Sequence, residues 1–456
     1  MVSLGDRYAE LVEPALHEEH LLRVPRRMSE HELQARWFAG EFGREFTTTD
    51  GRRIKVVQAG VWNHEAGPDF AEAAISIDAG EPIRGCIELD PDARDWERHG
   101  HGTNPQYERV ILHVFTEYST NSEFFTRTAD HRFVPQVLLD LSGLVDDPPN
   151  PEPSAKPGRC IAPLRDLNEE KVREVLLGAS EHRLRRKATA LTRLTELHGA
   201  DDALYQALAT TLGYKSNKLP FTLLAQRLPL RLLRSRAEEG DALLFGVAGF
   251  LPAENLADFK PDSRSYLRTL WQQWWPRRGE FERLAIPKSL WRFSGQRPMN
   301  HPQRRLAALG QMVRNWPKIR ALRQRCDPEA ITDFFSTLTH EFWDFHYTVN
   351  SKASARRMAL IGETRVTEML ANVFFPLAFA EDSSRWLGFK NLPATLTNRR
   401  VEIAAIRLFG ADNPRARHLL QSAAIQQGLL QVYEDFCQQD ASDCASCRFP
   451  TQVAKW

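Results

Sequence analysis

Leu33, Trp37 and Phe38 recur at helical spacing within residues 28–42 (MSEHELQARWFAGEF), which predicts an amphipathic helix. After it the apolar pattern shortens. Residues 54–57, 70–77, 83–89, 110–115 and 137–139 are strand-like runs, and Asp78-Ala79-Gly80-Glu81-Pro82 is a turn signal between the second and third. Residues 92–107 are polar and rich in His, Gly and Asn, predicting a loop with a short helix. The first section therefore reads as α/β (α+β), with a sheet of about five strands.

Residues 146–158 (DDPPNPEPSAKPG) hold five prolines and almost nothing apolar, the clearest linker in the chain. Beyond it the period of 3.6 dominates. Residues 168–197, 203–213, 221–237, 241–250, 262–275, 302–314, 328–345, 363–380, 401–408 and 416–436 carry helical spacing. The expected organisation is an α/β domain over 1–147, a Pro-rich linker over 148–158, a helical domain over 159–260 and a second over 261–456.

At 456 residues, 42% hydrophobic and 26% charged, the composition is that of an ordinary globular protein. The longest apolar stretch, residues 243–251, is far too short to span a bilayer, and no basic start followed by an apolar run suggests a secretory leader. Six cysteines, three of them in the last twenty residues, do not resemble a disulfide framework, so a reducing cytoplasm is expected. The net charge of +1 hides an asymmetry. Residues 65–97 hold ten Asp or Glu and few arginines, whereas residues 277–325 hold thirteen Lys or Arg against two Glu. An acidic pocket beside a basic face suits a cation-dependent enzyme acting on a polyanion. Two oppositely charged domains packed together would look the same.

The acidic segment carries the candidate chemistry. Side chains alternate along a strand, so Glu88 and Asp90 in Cys86-Ile87-Glu88-Leu89-Asp90 project to one side, and Asp69, opening the preceding strand, can reach the same point. Three converging carboxylates call for a hard cation such as Mg²⁺ or Mn²⁺, the arrangement of metal-assisted phosphodiester cleavage. His113 shares the parity of Ile111 and Phe115 and is expected to face the site. His99 is a phosphate-binding or acid candidate, while His101, in a Gly/Asn-rich loop, is expected to be solvated and no ligand.

Pro68-Asp69 and Glu88 resemble the PD-(D/E)xK nuclease pattern. The resemblance covers about residues 28–140 and implies a restriction-endonuclease-like fold with Asp69 and Glu88 as metal ligands. It also implies an acidic position on the preceding helix, filled by Glu30 or Glu32. This chain departs from the pattern at Asp90, which stands where the family has lysine; Asp90 would then be a third ligand or a base, with Arg84 or His99 as a displaced cation.

Two further features bear on partners. Cys437, Cys444 and Cys447, spaced C-x6-C-x2-C, favour Zn²⁺ or an iron–sulfur cluster and are similar to the cluster loop of endonuclease-III-like DNA glycosylases. The fourth cysteine of that loop is missing, leaving Cys160 or Cys326 by elimination. Trp271, Trp274, Trp275, Trp291 and Trp316 interleave with the basic segment, at least half of them expected in the core. Lys215, Lys218, Arg297, Arg304 and Arg305 are candidate nucleic-acid contacts.

Ordered blocks, among them AGPDF (66–70), DWERHGH (95–101), YERVILHV (107–114), LGYKSNKLPF (212–221), QRPMNHPQRRLA (296–307) and QGLLQVYEDFC (427–437), identify the chain as resembling an uncharacterised bacterial domain-of-unknown-function family, number 2851, from about residue 30 to 447. That resemblance supplies no reaction. The expectation from the residues is a Mg²⁺- or Mn²⁺-dependent nuclease acting on DNA or RNA, in nucleic-acid repair or defence. The alternatives are a non-catalytic nucleic-acid-binding protein with a degenerate nuclease domain, or a metal-stabilised protein–protein scaffold.

Overall fold

The computed structural model describes residues 3–19, 28–63, 67–118, 125–141, 162–251, 256, 259–293, 297–394, 399–410, 413–438 and 447–456. The linker expected over 148–158 lies outside the described residues.

Seven strands make one sheet: β1 (Glu45–Thr47), β2 (Arg53–Gln58), β3 (Val61–Trp62), β4 (Phe70–Ile77), β5 (Ile83–Asp92), β6 (Val110–Glu117) and β7 (Gln136–Leu138). Their order is β1-β2-β4-β5-β6-β7, with β3 paired to β4. Pairing is antiparallel as far as β4–β5 and parallel for β5–β6 and β6–β7. All five expected strands are present. β1 and β3, with three and two residues, fall outside the expected runs.

β5 explains how the sheet separates core from site. Ile87 and Leu89 join the main core with Ile54, Val56, Ile75, Leu112 and Val114, whereas Glu88, Asp90 and Asp92 leave from the opposite face. The first helix, α1 (Leu4–Glu19), precedes the sheet, and α2 (Glu30–Phe38) covers its apolar face with Leu33 and Trp37. Ser29 starts α2 by accepting a hydrogen bond from the Glu32 amide at 3.3 Å. The other face is covered by the β5–β6 crossover, whose one-turn helix α3 (Asp95–Arg98) brings Trp96 into a separate small apolar cluster with Tyr107, Val110 of β6 and Val134 ahead of β7.

The register of β4 against β5 shifts between Phe70 and Ala73, where Glu72 adopts φ 55°, a bulge conformation. Past the bulge Phe70 lies opposite Ile87, so Asp69 comes level with Glu88.

A large helical region follows, as expected. Its longest element, α4 (Glu169–His198), begins at Asn168, whose side chain accepts from the Lys171 amide at 2.7 Å, and ends at Gly199. The helix Ala423–Val432 crosses α4 so closely that a Cβ on Gly428 would lie 1.8 Å from the Leu176 carbonyl oxygen. The run expected over 221–237 divides into Lys218–Arg227 and Leu230–Ser235 around Pro229. The run expected over 328–345 stops at Thr337, and the irregular segment after it is fastened from inside by Arg304 and Arg305. No described helix is long and apolar enough to cross a membrane.

Candidate metal centre

The Asp69 amide donates to Glu88 Oε2 at 2.9 Å, tying the Glu88 carboxylate to the Asp69 backbone. Asp69 is itself fixed from both sides. Gln34 Nε2 of α2 donates to Oδ1 at 2.7 Å, and the Leu89 amide of β5 donates to Oδ2 at 3.0 Å. Gln34 also donates to Glu30 Oε1 at 3.1 Å, so the first turn of α2 brings Glu30 toward the site. Glu32 does not belong there. Its carboxylate turns to Arg36, 3.1 Å away and four residues on, which corrects the expectation of Glu32 as a ligand.

Glu88 and Asp90 share a face, as strand alternation requires, and are 4% and 1% exposed. Their surroundings are histidine-rich. His101 Nδ1 lies 3.3 Å from Glu88 Oε1 and 3.8 Å from Asp90 Oδ2; His99 Nδ1 lies 3.5 Å from Asp90 Oδ1; His113 Nε2 lies 3.2 Å from Asp90 Oδ2. Asp90 Oδ2, His101 Nδ1 and His113 Nε2 are nevertheless buried without a hydrogen bond. One donor atom each from Asp90, His99 and His101 falls within 4.8 Å of the other two.

His101 corrects the expectation of a solvated loop histidine: it is 7% exposed, stacked on Tyr107 at 4.0 Å and met edge-on by Trp96. Trp96 is fixed in turn by donating Nε1 to the Arg127 carbonyl at 3.0 Å. Gly100, at φ 76°, takes the left-handed turn between the two histidines that other residues adopt at a cost. His113 is held from behind, its Nδ1 2.6 Å from Thr126 Oγ1, which also accepts from Gln136 Nε2 at 2.9 Å.

Among the described residues no lysine or arginine forms an ion pair with Asp69, Glu88 or Asp90. Burial, joined by the charges of Glu30 and Asp90, pushes the Asp69 carboxyl well above its usual range. Burial, with Asp69 and Asp90, does the same to Glu88. Burial also pulls the His101 imidazole down to about 4, against the opposing pull of Asp90. The Tyr107 phenol is raised by burial and then by the same carboxylates. A pocket that resists negative charge this strongly, yet is built from carboxylates, is suited to holding a cation.

The expected nucleic-acid contacts divide. Arg304 and Arg305 are 0% and 2% exposed and donate to the carbonyls of Trp343, His346, Met358, Ala359 and Leu360, so they are internal fasteners. Lys218 is partly buried, and burial lowers its ammonium to about 8. Lys215 and Arg297 are exposed. Much of the basic segment is committed to partners: Arg277 to Glu239, Arg278 to Glu282, Arg314 to Asp241, Arg320 to Asp201 and Arg323 to Glu381. Of its tryptophans, Trp274, Trp291 and Trp316 are core, and Trp275 is exposed beneath Arg278. Cys437 and Cys447 are half-buried and Cys326 is buried, whereas Cys444 and Cys160 lie outside the described residues.

Sequence reasoning missed Gln34, Tyr107 and Thr126. Gln34 alone left a signal, standing one helical turn after Glu30. A family model described as "Protein of unknown function (DUF2851)" matches residues 30–387. Neither the curated proteins nor the solved structures contain a match.

Proposed function

The chain belongs to the DUF2851 family of unknown function, and from that premise we propose that it is a divalent-cation-dependent nuclease with Asp69 and Glu88 as cation ligands. One observation carries the reading: the Glu88 carboxylate is held by the Asp69 amide, the Asp69 carboxylate by the Leu89 amide and Gln34, both carboxyls are pushed toward protonation, and neither is paired with a lysine or arginine among the described residues. Bound there, a Mg²⁺ or Mn²⁺ ion would supply Lewis acidity toward a phosphate oxygen and a water of lowered pKa. Gln34 and the Leu89 amide hold the Asp69 carboxylate in orientation, so little reorganisation is needed as charge develops. Lys215 and Arg297 are exposed cations suited to a polyanionic substrate.

The test is cleavage of labelled single- and double-stranded DNA and RNA with Mg²⁺ or Mn²⁺, wild type beside Asp69→Asn and Glu88→Gln. Losses of about 100-fold or more in both variants are expected, the scale on which a directly acting polar group contributes. Wild-type cutting that survives either substitution would sink the assignment. A second reading, nucleic-acid binding without cleavage, is favoured by Asp90, which brings a third carboxylate where a cationic side chain would complete the site. Salt-dependent binding with no cutting under any divalent ion would establish it.

A further inference from the structure

Asp90 poses a problem that Asp69 and Glu88 do not. It is 1% exposed, its Oδ2 has no hydrogen bond, and His99, His101 and His113 ring it at 3.2–3.8 Å. A buried carboxylate oxygen facing imidazole nitrogens without a hydrogen bond is costly unless something binds between them. His101 Nδ1 is enclosed and equally without a hydrogen bond. The spacing itself is informative. For metal–ligand bonds of about 2.1 Å, neighbouring donors lie roughly 3.0–3.4 Å apart in octahedral or tetrahedral shells. His99 Nδ1 lies 3.5 Å from Asp90 Oδ1 and His101 Nδ1 3.8 Å from Asp90 Oδ2, each within a few tenths of an ångström of that edge, and one donor atom from each of the three residues falls within 4.8 Å of the others.

The geometry points to a second cation site, separate from the Asp69–Glu88 pair, in which Asp90, His99 and His101 bind one transition-metal dication of the Zn²⁺, Mn²⁺ or Fe²⁺ class. Imidazole favours these ions over Mg²⁺, which prefers oxygen ligands alone. Three protein ligands leave coordination positions for water or a phosphate oxygen. His99, with its side chain 43% exposed, marks the side open to solvent, while Trp96 and Tyr107 close the side of His101. Glu88 Oε1, 3.3 Å from His101 Nδ1, stands between the two sites, so the second ion would bring the positive charge that no described lysine or arginine supplies. What the ion does there rests on the nuclease reading; that it binds rests on the donor atoms.

Cobalt(II) is the probe, because its visible absorption reports nitrogen–oxygen coordination directly. The full chain, stripped of metal, is titrated with Co²⁺ in excess Mg²⁺, and bound metal is counted by equilibrium dialysis. One Co²⁺ with a visible band is expected. His99→Ala, at an exposed position that tolerates truncation, and Asp90→Asn should each weaken binding tenfold or more. Asp69→Asn should keep the band. No visible band in folded wild type, or Co²⁺ affinity unchanged in both His99→Ala and Asp90→Asn, would overturn the site. Cobalt binding with no nucleic-acid cleavage would retain this site and remove the nuclease reading; cleavage dependent on Asp69, without cobalt binding, would do the reverse.

Discussion

Replacing Arg304 by methionine keeps much of the side chain's volume and removes its donors. In the folded protein Nη1 donates to the Trp343 and His346 carbonyls, the latter at 3.0 Å, and Nη2 donates to Met358 and Ala359 at 2.9 and 2.7 Å. Hydrogen bonds from a charged donor contribute about 1.5–3 kcal/mol each, so the lower end for the set is roughly 6 kcal/mol. Methionine also removes the cost of burying a guanidinium, and loosened carbonyls recover some water, which lowers the net loss to about 4 kcal/mol. For a cooperative unit of a few hundred residues that corresponds to a fall of roughly 10 °C in melting temperature. Arg304→Lys should recover little, because one ammonium cannot reproduce a planar fork. Thermal denaturation followed by circular dichroism measures the loss, and fluorescence anisotropy on a labelled oligonucleotide runs beside it. Exposed Arg297→Met serves as the control and should melt like wild type. If Arg304→Met melts within about 1 °C of wild type, the stability reasoning fails; weakened oligonucleotide binding in that folded variant would return Arg304 to a surface role.

Asp241 gives the acid limb. Its burial alone would raise the carboxyl, but His340 and Arg314, at 3.5 and 2.8 Å, outweigh burial and hold it below the usual range. A lowered folded pKa adds stability above the unfolded carboxylate range that disappears as pH falls through the folded value. Asp241→Asn should therefore cost about 2 kcal/mol near neutrality, less than a fully enclosed pair because Arg314 is 34% exposed, and flatten the dependence of urea midpoints on acid pH; an unchanged acid limb would contradict this. Gly428→Ala should destabilise by about 3 kcal/mol, the upper end for overpacking, because its Cβ meets the Leu176 backbone. Gly240→Ala, with nothing within 4 Å, should be neutral or slightly stabilising, and equal melting temperatures for the two would refute the close crossing.

The sequence alone determined what depends on local periodicity. Five of the strands, α2 and the succession of helices follow from side-chain alternation and the 3.6-residue repeat, which neighbours along the chain are enough to impose. The shared face of Glu88 and Asp90 belongs to the same class, since strand parity needs no partner. Only the tertiary structure decided which charged residues work together. Glu32 and Glu30 are both in the first turn of α2, and their fates diverge because Arg36 lies one turn beyond the first while Gln34 links the second to Asp69. Arg304 and Arg305 read like surface arginines until the 338–362 segment folds its carbonyls over them. His101 reads like a loop residue until the crossover lays Tyr107 on its ring and turns it toward Glu88. Except for Glu32, whose partner is one turn along the same helix, the deciding partner is remote in sequence or on another element, and burial converts a group of ordinary solubility into one that must be paired. Periodicity fixes which face a side chain leaves from; only packing fixes what it meets.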